Sequence, residues 1–347
     1  MDPVRWGVLG AGGIARRRTI PEGILPAANA ELVAICSVPD GEEVAKQFGV
    51  QHFPTEEDLL SSDIQAVYIA TPTYLHSDQV LRAAAAGKHV LCEKPLALNV
   101  LQAQEMVRVF DQAGLKLGVG LMMRFHASHR EAARIIREDG IGTPVMGRAQ
   151  LSCWYPTIEG AWRQDPALGG GGALADLGVH CIDLLEMFFG RTRSVTATVG
   201  NTVHGYAAED TAIVVLEFEN GARGVVDCLF NVPDESSLNR LELYGSRGSI
   251  IADGTIGQGA PGVMTLRATE SSAGYEAKQQ RVGGSGGFLI QPEQSNVYRD
   301  EIEAFTQSVI DDTEPPVSGQ DGLWSQRVLE ACYESARTRQ TVLLLET

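Results

Sequence analysis

The sequence lacks long hydrophobic runs and an excess of basic residues. None of its apolar stretches approaches the length of about 18 residues that a membrane-spanning helix needs, so we expect no membrane partner. The 347 residues include 28 Lys and Arg but 44 Asp and Glu, a formal charge of −16. Such a charge repels the phosphate backbone of DNA and RNA, which argues against a nucleic-acid partner. An anionic ligand would have to be held by local features.

Cysteine is also sparse, and no two cysteines have the Cys-x-x-Cys spacing of a metal or redox site. We therefore predict no metal ion and interpret the cysteines as buried thiols of a reducing cytoplasm. A strand-like run begins at Val4, which leaves no room for a signal peptide and favours a cytoplasmic protein. The chain has six cysteines: Cys36, Cys92, Cys153, Cys181, Cys228 and Cys332.

A glycine-rich turn follows the first apolar run. Residues 10–15 match Gly-x-Gly-x-x-Ala where a strand would turn into a helix. The first glycine permits a tight turn, the second lets the backbone approach a pyrophosphate, and N–H groups at the helix start bind the phosphates. A glycine turn without a ligand is the alternative for the motif in isolation. The predicted cofactor-binding residues here are Gly10, Ala11, Gly12, Gly13 and Ile14.

Strand and helix signals alternate through the first third of the chain. Apolar strands are predicted at 31–37, 66–70, 89–92 and 116–120, and helices end at Gly49, Gly87 and Gly114. Repeated strand–helix units with apolar strands indicate an α/β fold, a doubly wound parallel Rossmann sheet. Ligands bind beyond the carboxyl ends of such strands. The polar residues there, which we expect to bind the cofactor, are Ser37, Thr71, Pro72, Thr73, His76, Glu93 and Lys94.

The end of the second strand bears on the choice between NAD and NADP. An acidic residue at this point would take the ribose hydroxyls and disfavour a 2′-phosphate, but the chain has Ser37. No arginine follows directly, although Arg16, Arg17 and Arg18 could reach this neighbourhood from the first helix. The sequence therefore favours NADP and leaves NAD open.

Beyond residue 123 the sequence changes to short alternating runs. Turn signals separate them, which indicates an α+β unit with a large open antiparallel sheet. We predict a loop with one edge strand at 254–287, and amphipathic helices at 297–310 and 323–336. An open sheet with apolar positions usually meets a partner, so a homodimer or homotetramer through this sheet is expected. The predicted strands are 148–154, 194–199, 211–218, 223–230, 240–244 and 249–252.

These signals predict two domains. Residues 1–122 form the NAD(P)-binding Rossmann domain, and residues 123–347 form a substrate and oligomerisation domain. The C-terminal helices, within 297–339, are expected to pack back towards the first domain.

Three motifs together resemble the glucose-fructose oxidoreductase/inositol dehydrogenase (Gfo/Idh/MocA) family. They are the Gly-x-Gly-x-x-Ala turn, Thr71-Pro72 followed by His76 and then by Gly-Lys-His-Val-Leu-Cys-Glu-Lys-Pro at 87–95, and residues 170–183. This last segment matches the family signature Gly-Gly-Gly-x-Leu-x-Asp-x-Gly-x-His-x-x-Asp. The resemblance implies an N-terminal Rossmann domain, a C-terminal open antiparallel sheet, and hydride transfer between NAD(P) and a sugar, polyol or related alcohol.

The resemblance also implies site residues. The family's catalytic set falls on Lys94, Asp176 and His180. Trp162-Arg163 is similar to the Trp-Arg pair that lies against the cofactor in the anhydrofructose reductase and glucose-fructose oxidoreductase branch of the family. Tyr298 is similar to the tyrosine at the start of the late helix that returns to the cofactor domain. The chain departs from the family pattern at two places. It has Thr73 where many relatives have asparagine, and it has Met122-Met123 before Arg124 where some relatives have asparagine or histidine. These departures leave the identity of the substrate undefined.

The chemistry of the residue types agrees with this set. Oxidising an alcohol requires a base for the hydroxyl proton, and histidine suits that role. Asp176 and His180 stand four residues apart and share a helix face, and Lys94 can donate to the reacting oxygen. We expect Lys94, Arg124, Asp176 and His180 to bind substrate. Each of these residues also has a purely structural interpretation. Lys94 could be a loop lysine, His180 a core histidine, Asp176 a helix cap and Arg124 an ion-pair partner.

We therefore predict an NAD(P)-dependent oxidoreductase that acts on a CH–OH group of a sugar, polyol or keto-sugar-like substrate. One alternative is a hydrolase or lyase of the same fold with a retained, redox-cycling NAD. Another is a dihydrodiol dehydrogenase. A non-catalytic dinucleotide sensor is a further alternative, against which the intact Lys94, Asp176 and His180 argue.

Overall fold

A parallel sheet organises the first third of the chain. The computed structural model describes residues 2–258, 262–269 and 286–344. Within residues 2–121 the sheet order is β3-β2-β1-β4-β5-β6, and every neighbouring pair is parallel, which confirms the predicted doubly wound sheet. Its strands are β1 (Val4–Leu9), β2 (Ala30–Cys36), β3 (Gln51–His52), β4 (Ala66–Ile69), β5 (His89–Glu93) and β6 (Leu117–Gly120).

Helices connect these strands on both faces of the sheet. The segment after the glycine turn is a π-helix, Ala15–Ile24, with Pro21 inside it. Proline has no N–H, so the usual α-helical hydrogen bond cannot form there. The other helices of this part are α1 (Gly41–Phe48), α2 (Glu56–Leu60), α3 (Thr73–Ala85) and α4 (Val100–Ala113).

The glycine at the end of β1 is required by close packing. Gly10 has φ +81°, and a Cβ atom there would lie 2.7 Å from the backbone nitrogen of Thr71. The first glycine turn therefore lies directly against the loop that follows β4. This contact brings two of the predicted ligand-binding loops to the same edge of the sheet.

A second, mixed sheet follows. Among the described residues its order is β14-β13-β12-β11-β7-β10-β9-β8-β15. Its pairs are antiparallel, as predicted, except that β7 and β10 are parallel, because the chain leaves β7 for a long helical excursion and returns at β8, with β10 and β9 lying between. The strands are β7 (Pro144–Ser152), β8 (Thr192–Gly200), β9 (Thr211–Phe218), β10 (Arg223–Leu229), β11 (Arg240–Gly245), β12 (Gly248–Asp253), β13 (Val263–Ala268), β14 (Phe288–Ile290) and β15 (Val342–Leu343).

The region predicted as a loop with one edge strand contains β13, and β14 begins directly after it. Residues 259–261 and 270–285 of that region lie outside the described residues.

Helices cover one face of the second sheet. Inward-facing Ala149, Val214 and Val226 are buried, whereas Ile213 and Val215 on the other face of β9 are 47% and 46% exposed. The helices of this part are α5 (Ala127–Arg137), α6 (Pro166–Gly169), α7 (Val179–Phe189), α8 (Val297–Ile310) and α9 (Gly319–Thr338).

The two late helices lie against the first sheet. Phe305 of α8 packs on Trp6 of β1 with ring centroids 5.5 Å apart, and a Cβ on Gly322 of α9 would lie 2.8 Å from Leu96 Cδ2. The chain thus returns to its first third after completing most of the second sheet. The domain boundary after residue 122 stays a prediction, and it falls inside the 3₁₀ turn Met122–Phe125.

An ion pair joins the end of the first sheet to helices of the second part. Arg124, in the 3₁₀ turn after β6, donates through Nη2 to Asp183 Oδ1 of α7 at 2.5 Å and through Nε at 2.9 Å. Its Nη1 lies 3.6 Å from Asp321 Oδ1 of α9. The Asp183 side chain is only 3% exposed, so its charge depends on Arg124.

Removing one partner of this pair should destabilise the protein. Arg124→Met leaves the Asp183 carboxylate buried and unpaired, and we expect it to lower the free energy of unfolding by about 3–5 kcal/mol in urea denaturation. The matched control is Arg108→Met, which breaks the fully exposed pair with Glu105 and should change the free energy of unfolding far less, because solvent screens that pair. Equal losses in the two variants would contradict this account of Asp183.

Candidate active site

A cleft opens at the carboxyl edge of the first sheet. Its volume is about 610 Å³. The predicted cofactor residues that line it are Gly10, Gly12, Gly13, Ile14, Ser37, Thr71, Pro72, Trp162 and Arg163. The structure thus brings the glycine turn, the ends of β2 and β4, and the Trp-Arg step from the second part into one concave surface.

The glycine turn leaves room for a phosphate group. A Cβ atom at Gly12 or Gly13 would meet no described atom within 4 Å, so the backbone here is open to the cleft. Ala11 is fully buried below it. An open, side-chain-free turn at the start of a helix is the cradle that a pyrophosphate requires, so the residues present fit a dinucleotide.

The cleft continues past Ser37 at the end of β2. Arg16 is fixed at the adjoining helix, where it donates to Glu43 of α1 at 2.7 Å and to Gln47 at 2.8 Å. Glu56 also lines the cleft, and its carboxylate pairs with Arg82 at 2.7 Å. The carboxylate that lines this part of the cleft is therefore already paired with a cation.

His76 connects two loops. The buried imidazole has Nδ1 3.0 Å from the Pro95 carbonyl oxygen and Nε2 2.9 Å from the Thr71 carbonyl oxygen. Because each ring nitrogen lies within hydrogen-bond distance of a carbonyl oxygen from a different loop, His76 bridges the loops after β4 and β5, and it does not line the cleft. Thr73, at the start of α3, is also buried, and its hydroxyl has no partner among the described residues.

Lys94 and Asp176 meet where the two halves of the chain come together. Lys94 Nζ donates to Asp176 Oδ1 and to the Asp176 carbonyl oxygen, each at 2.8 Å. Arg163 Nε donates to the same Oδ1 at 3.1 Å, and its guanidinium lies over the Trp162 ring at 4.1 Å. One carboxylate therefore holds a lysine from the first sheet and an arginine from the segment before α6.

The charges explain why Asp176 stays ionised although it is largely enclosed. Burial alone would raise its pKa, but the Lys94 ammonium and the Arg163 guanidinium outweigh burial and hold the pKa of Asp176 well below its usual range. The carboxylate is thus a permanent anchor for both cations at neutral pH.

His180 lies beside this group. Asp176 is in a π-helical turn, Leu174–Gly178, and His180 follows in the first turn of α7. Burial and the nearby Lys94 lower the pKa of His180 to about 3, against the opposing charge of Asp176. Its Nδ1 has no hydrogen-bond partner among the described residues. The imidazole is therefore neutral at pH 7, and one of its ring nitrogens is buried without a hydrogen-bond partner.

Glu209 is a site residue that the sequence analysis missed. It accepts from the backbone nitrogens of Gly172 at 2.9 Å and Leu174 at 3.0 Å, and from the Tyr333 hydroxyl at 2.9 Å. A Cβ on Gly172 would collide with the Glu209 backbone, so this glycine is required there. Glu209 therefore caps the turn that carries Asp176. The only signal was the acidic pair Glu209-Asp210 directly before a predicted strand.

Glu93 and Tyr298 are two further residues that were predicted to bind the cofactor. Glu93 Oε1 accepts from the Tyr68 hydroxyl at 2.5 Å, and burial raises the pKa of Glu93. Tyr298 in the first turn of α8 is buried, and its hydroxyl has no partner among the described residues. Neither side chain lines the cleft, so a direct cofactor contact by Glu93 or Tyr298 stays a prediction.

Arg124 lies in ion pairs, and its contact with substrate stays a prediction. Its guanidinium is engaged by Asp183 and Asp321, which favours an ion-pair role over a contact with substrate.

All six cysteines are free thiols, and only Cys153 is partly exposed. Among the described residues, no group of His, Cys, Asp or Glu side chains is arranged to hold a metal ion. In the same part of the chain, no helix combines the length and apolarity that crossing a membrane requires.

Comparisons with known proteins agree with this geometry. The family described as "Oxidoreductase family, NAD-binding Rossmann fold" matches residues 4–121, and the "GFO/IDH/MocA C-terminal domain" matches residues 129–251. The chain is 30% identical to the 1,5-anhydro-D-fructose reductase of Ensifer adhaerens over 97% of each chain. It is 31% identical to the D-xylose 1-dehydrogenase (NADP(+)) 2 of Haloferax volcanii, over 98% of this chain and 99% of the relative.

A solved structure extends the likeness to the whole fold. The aldose-aldose oxidoreductase of Caulobacter crescentus, complexed with glycerol, superposes with a TM-score of 0.87 at 26% identity. The alignment covers 99% of this chain and 100% of that protein. The NAD-binding Rossmann fold, the mixed second sheet and the matches along nearly the whole length establish that this chain is an oxidoreductase of the GFO/IDH/MocA family.

Proposed function

We propose that this oxidoreductase transfers a hydride between a nicotinamide cofactor and a hydroxyl or keto group of a sugar, polyol or keto-sugar-like substrate. The observation that carries the proposal is the grouping of Lys94, Asp176 and His180 beside the dinucleotide cleft. The names of the relatives, which include reductases and dehydrogenases of sugars, support the substrate class. Six free cysteines support a cytoplasmic location.

The residues that would hold the cofactor are those that line the cleft. The open turn at Gly12 and Gly13 suits the pyrophosphate, Ser37 the adenosine ribose, and Trp162 the opposite wall. When bound, the nicotinamide cofactor supplies the acceptor or donor of the hydride.

Lys94 would orient the reacting oxygen. An ammonium group has three donors, and Lys94 uses two of them on Asp176 in the described part of the chain. The third can donate to the hydroxyl or carbonyl oxygen of the substrate. Its positive charge stabilises negative charge that develops on that oxygen in either direction of the reaction.

His180 would move the proton. With its pKa lowered to about 3, the imidazole is neutral at pH 7 and can accept the hydroxyl proton during oxidation. Reduction would need the protonated ring, which this lowered pKa makes scarce at neutral pH, so the arrangement favours His180 as a base in the direction of oxidation. Asp176 would act on both Lys94 and His180. It fixes the position of Lys94, and its negative charge partly offsets the lowering of the His180 pKa by Lys94.

We further propose that the cleft prefers NADP to NAD. Ser37 stands where an acidic side chain would repel a 2′-phosphate, Arg16 is held at the adjoining helix by Glu43, and Glu56 is paired with Arg82. A serine hydroxyl and a nearby guanidinium are suitable partners for a phosphate.

We also propose that the exposed face of the second sheet forms a homodimer or homotetramer contact. Ile213 and Val215 are nearly half exposed on neighbouring outward positions of β9. Exposed β-branched side chains on a broad sheet are typical of a surface that is covered by a partner.

Replacing the catalytic candidates should abolish turnover without removing cofactor binding. For Lys94→Met and His180→Asn we expect kcat to fall by about 10²–10⁴-fold in an assay at the absorbance of the reduced cofactor, because the oxygen loses its donor or its base. Cofactor affinity, measured by fluorescence titration, should change little. Lys46→Met on exposed α1 is the control and should retain activity.

The pH profile gives a second test of His180. Because its lowered pKa leaves it neutral well below pH 6, the rate of oxidation should stay level from about pH 7 to about pH 5 and not fall near the ordinary histidine value of about 6.5. A fall centred near pH 6.5 that disappears in His180→Asn would oppose the neutral-base assignment. Bond cleavage without net reduction of cofactor would instead indicate a retained, redox-cycling NAD.

The cofactor preference can be reversed at one position. Ser37→Asp places a carboxylate where the 2′-phosphate would lie, so we expect the ratio of kcat/KM for NADP to that for NAD to fall at least tenfold, as judged from initial rates. Arg16→Ala should weaken NADP binding and leave NAD nearly unaffected. An unchanged ratio in both variants would remove the proposed position of the ribose.

Introducing charge on the exposed face of β9 tests the proposed contact between subunits. Ile213→Lys combined with Val215→Lys should convert the oligomer to a monomer in light scattering, because two buried ammonium groups would face the partner. The control is Leu101→Lys, which places the same charge at an exposed apolar position on α4, away from the sheet. This variant should leave the molar mass unchanged. An oligomer that survives the double substitution would contradict a contact at this face.

A further inference from the structure

A series of hydrogen-bonded polar side chains forms part of the wall of the cofactor cleft. Thr71, Gln79 and Glu56 all line this cleft. The Thr71 hydroxyl donates to Gln79 Oε1 at 2.5 Å, and Gln79 Nε2 donates to Glu56 Oε1. Arg82 Nη2 donates to Glu56 Oε2 at 2.7 Å. We refer to Thr71, Gln79, Glu56 and Arg82 as the polar chain.

The direction of each hydrogen bond in the polar chain is determined from its Arg82 end. A guanidinium only donates and an ionised carboxylate only accepts, so Glu56 takes its second hydrogen bond from the NH₂ group of Gln79. The carbonyl end of the Gln79 amide therefore points to Thr71. Because that oxygen only accepts, the Thr71 hydroxyl has to donate its single hydrogen to it.

The Thr71 side chain is held in this orientation from several sides. The Thr71 carbonyl oxygen lies 2.9 Å from His76 Nε2. The Thr71 methyl group packs against Gly10, where a Cβ atom would lie 2.7 Å from Thr71 Cγ2. Gln79 is only 1% exposed, so turning the Thr71 hydroxyl away would leave a buried carbonyl oxygen without a partner. Thr71 thus presents one fixed hydroxyl.

A hydroxyl whose hydrogen is already engaged can only accept further hydrogen bonds. The lone pairs of the Thr71 oxygen therefore suit a ligand group that donates. The ribose hydroxyls of a dinucleotide are such donors, whereas ionised phosphate oxygens only accept. A threonine with a free hydrogen would bind either group, so Gln79 makes the Thr71 position selective.

The place of Thr71 in the cleft agrees with a ribose contact. Thr71 lies directly against Gly10, and the open turn at Gly12 and Gly13 that suits the pyrophosphate follows at once. In a dinucleotide each phosphate is joined to a ribose. The group that comes next to the pyrophosphate along the cleft is therefore a ribose on either side.

We propose that Gln79 is a positioning residue for the cofactor, which holds the Thr71 hydroxyl so that its oxygen accepts a hydrogen bond from a ribose hydroxyl and disfavours a phosphate. This inference rests on the proposed function and assigns a part of its cofactor site. It also sets how the cofactor is placed along the cleft, because a shift by one group would bring phosphate oxygens against the lone pairs of Thr71.

Titration of the substrate-free protein with its preferred cofactor, followed by fluorescence, tests this role. We expect Thr71→Val and Gln79→Met each to weaken binding about fivefold, because the ribose hydroxyl loses an oriented acceptor. Thr71→Ser keeps the hydroxyl and should bind within about twofold of the unaltered protein. The double variant Thr71→Val with Gln79→Met should bind no more weakly than Thr71→Val, since Gln79 acts through Thr71.

Cofactor analogues identify the ligand group. In each analogue one ribose hydroxyl, on the adenosine or on the nicotinamide side, is replaced by hydrogen. For the analogue that lacks the partner of Thr71, we expect Thr71→Val and Gln79→Met to bind as tightly as the unaltered protein, and this analogue tells which ribose is bound. A merely structural role of Gln79 would weaken binding of every analogue by the same factor.

The matched control is a buried glutamine outside the cleft. Gln326 of α9 is 4% exposed and does not line the cleft, so Gln326→Met should leave cofactor affinity unchanged. Gln79→Ala is a second variant that removes the amide, and its affinity should fall as in Gln79→Met. Thermal unfolding of all variants would verify that each is folded.

The outcomes distinguish this inference from the proposed function. Unchanged affinity in both Gln79 variants, losses that multiply in the double variant, or an equal loss with every analogue would overturn the positioning role while sugar oxidoreduction stands. If the unaltered protein binds the cofactor as described but oxidises and reduces none of the sugars or keto-sugars, the proposed function fails and the ribose contact stands.

Discussion

The site depends on one carboxylate that two cations share. Asp176 binds Lys94 from the end of β5 and Arg163 from the segment before α6, so a single side chain links both halves of the chain. The attraction outweighs the cost of enclosing the charge, which is why the pKa of Asp176 is lowered despite burial. This pairing fixes the position of Lys94 and holds Arg163 over the Trp162 ring. His180 is affected by the charges of both Lys94 and Asp176.

A layer of buried polar contacts supports this group from behind. Glu209 caps the turn that carries Asp176 and is itself held by Tyr333 of α9. His76 ties the loop after β4 to the loop that contains Lys94, and Arg124 fixes α7 through Asp183. None of these residues has to touch a substrate. Each restricts the position of one that would, which is the requirement for a site that works by orientation.

The sequence was sufficient for most of the architecture but not for its long-range pairing. Apolar periodicity and glycine stops predicted the first sheet, and β9 falls on its predicted residues, 211–218. The sequence predicted a predominantly antiparallel second sheet but not the parallel pairing of β7 with β10, because strand direction depends on where a distant segment returns. Lys94, Asp176 and His180 stood in recognisable motifs. Glu209 did not, since its partner Gly172 is 37 residues away and only the folded chain brings them together.

The link between Lys94 and Asp176 also restricts how such a protein can change. The two residues come from different halves of the chain and are separated by 82 positions. Without Asp176, Lys94 would lose its counter-charge, and without Lys94, Asp176 would retain only Arg163. Exchanging the cofactor-binding part for that of another enzyme would succeed only if the donor also carried a cation at the same strand end.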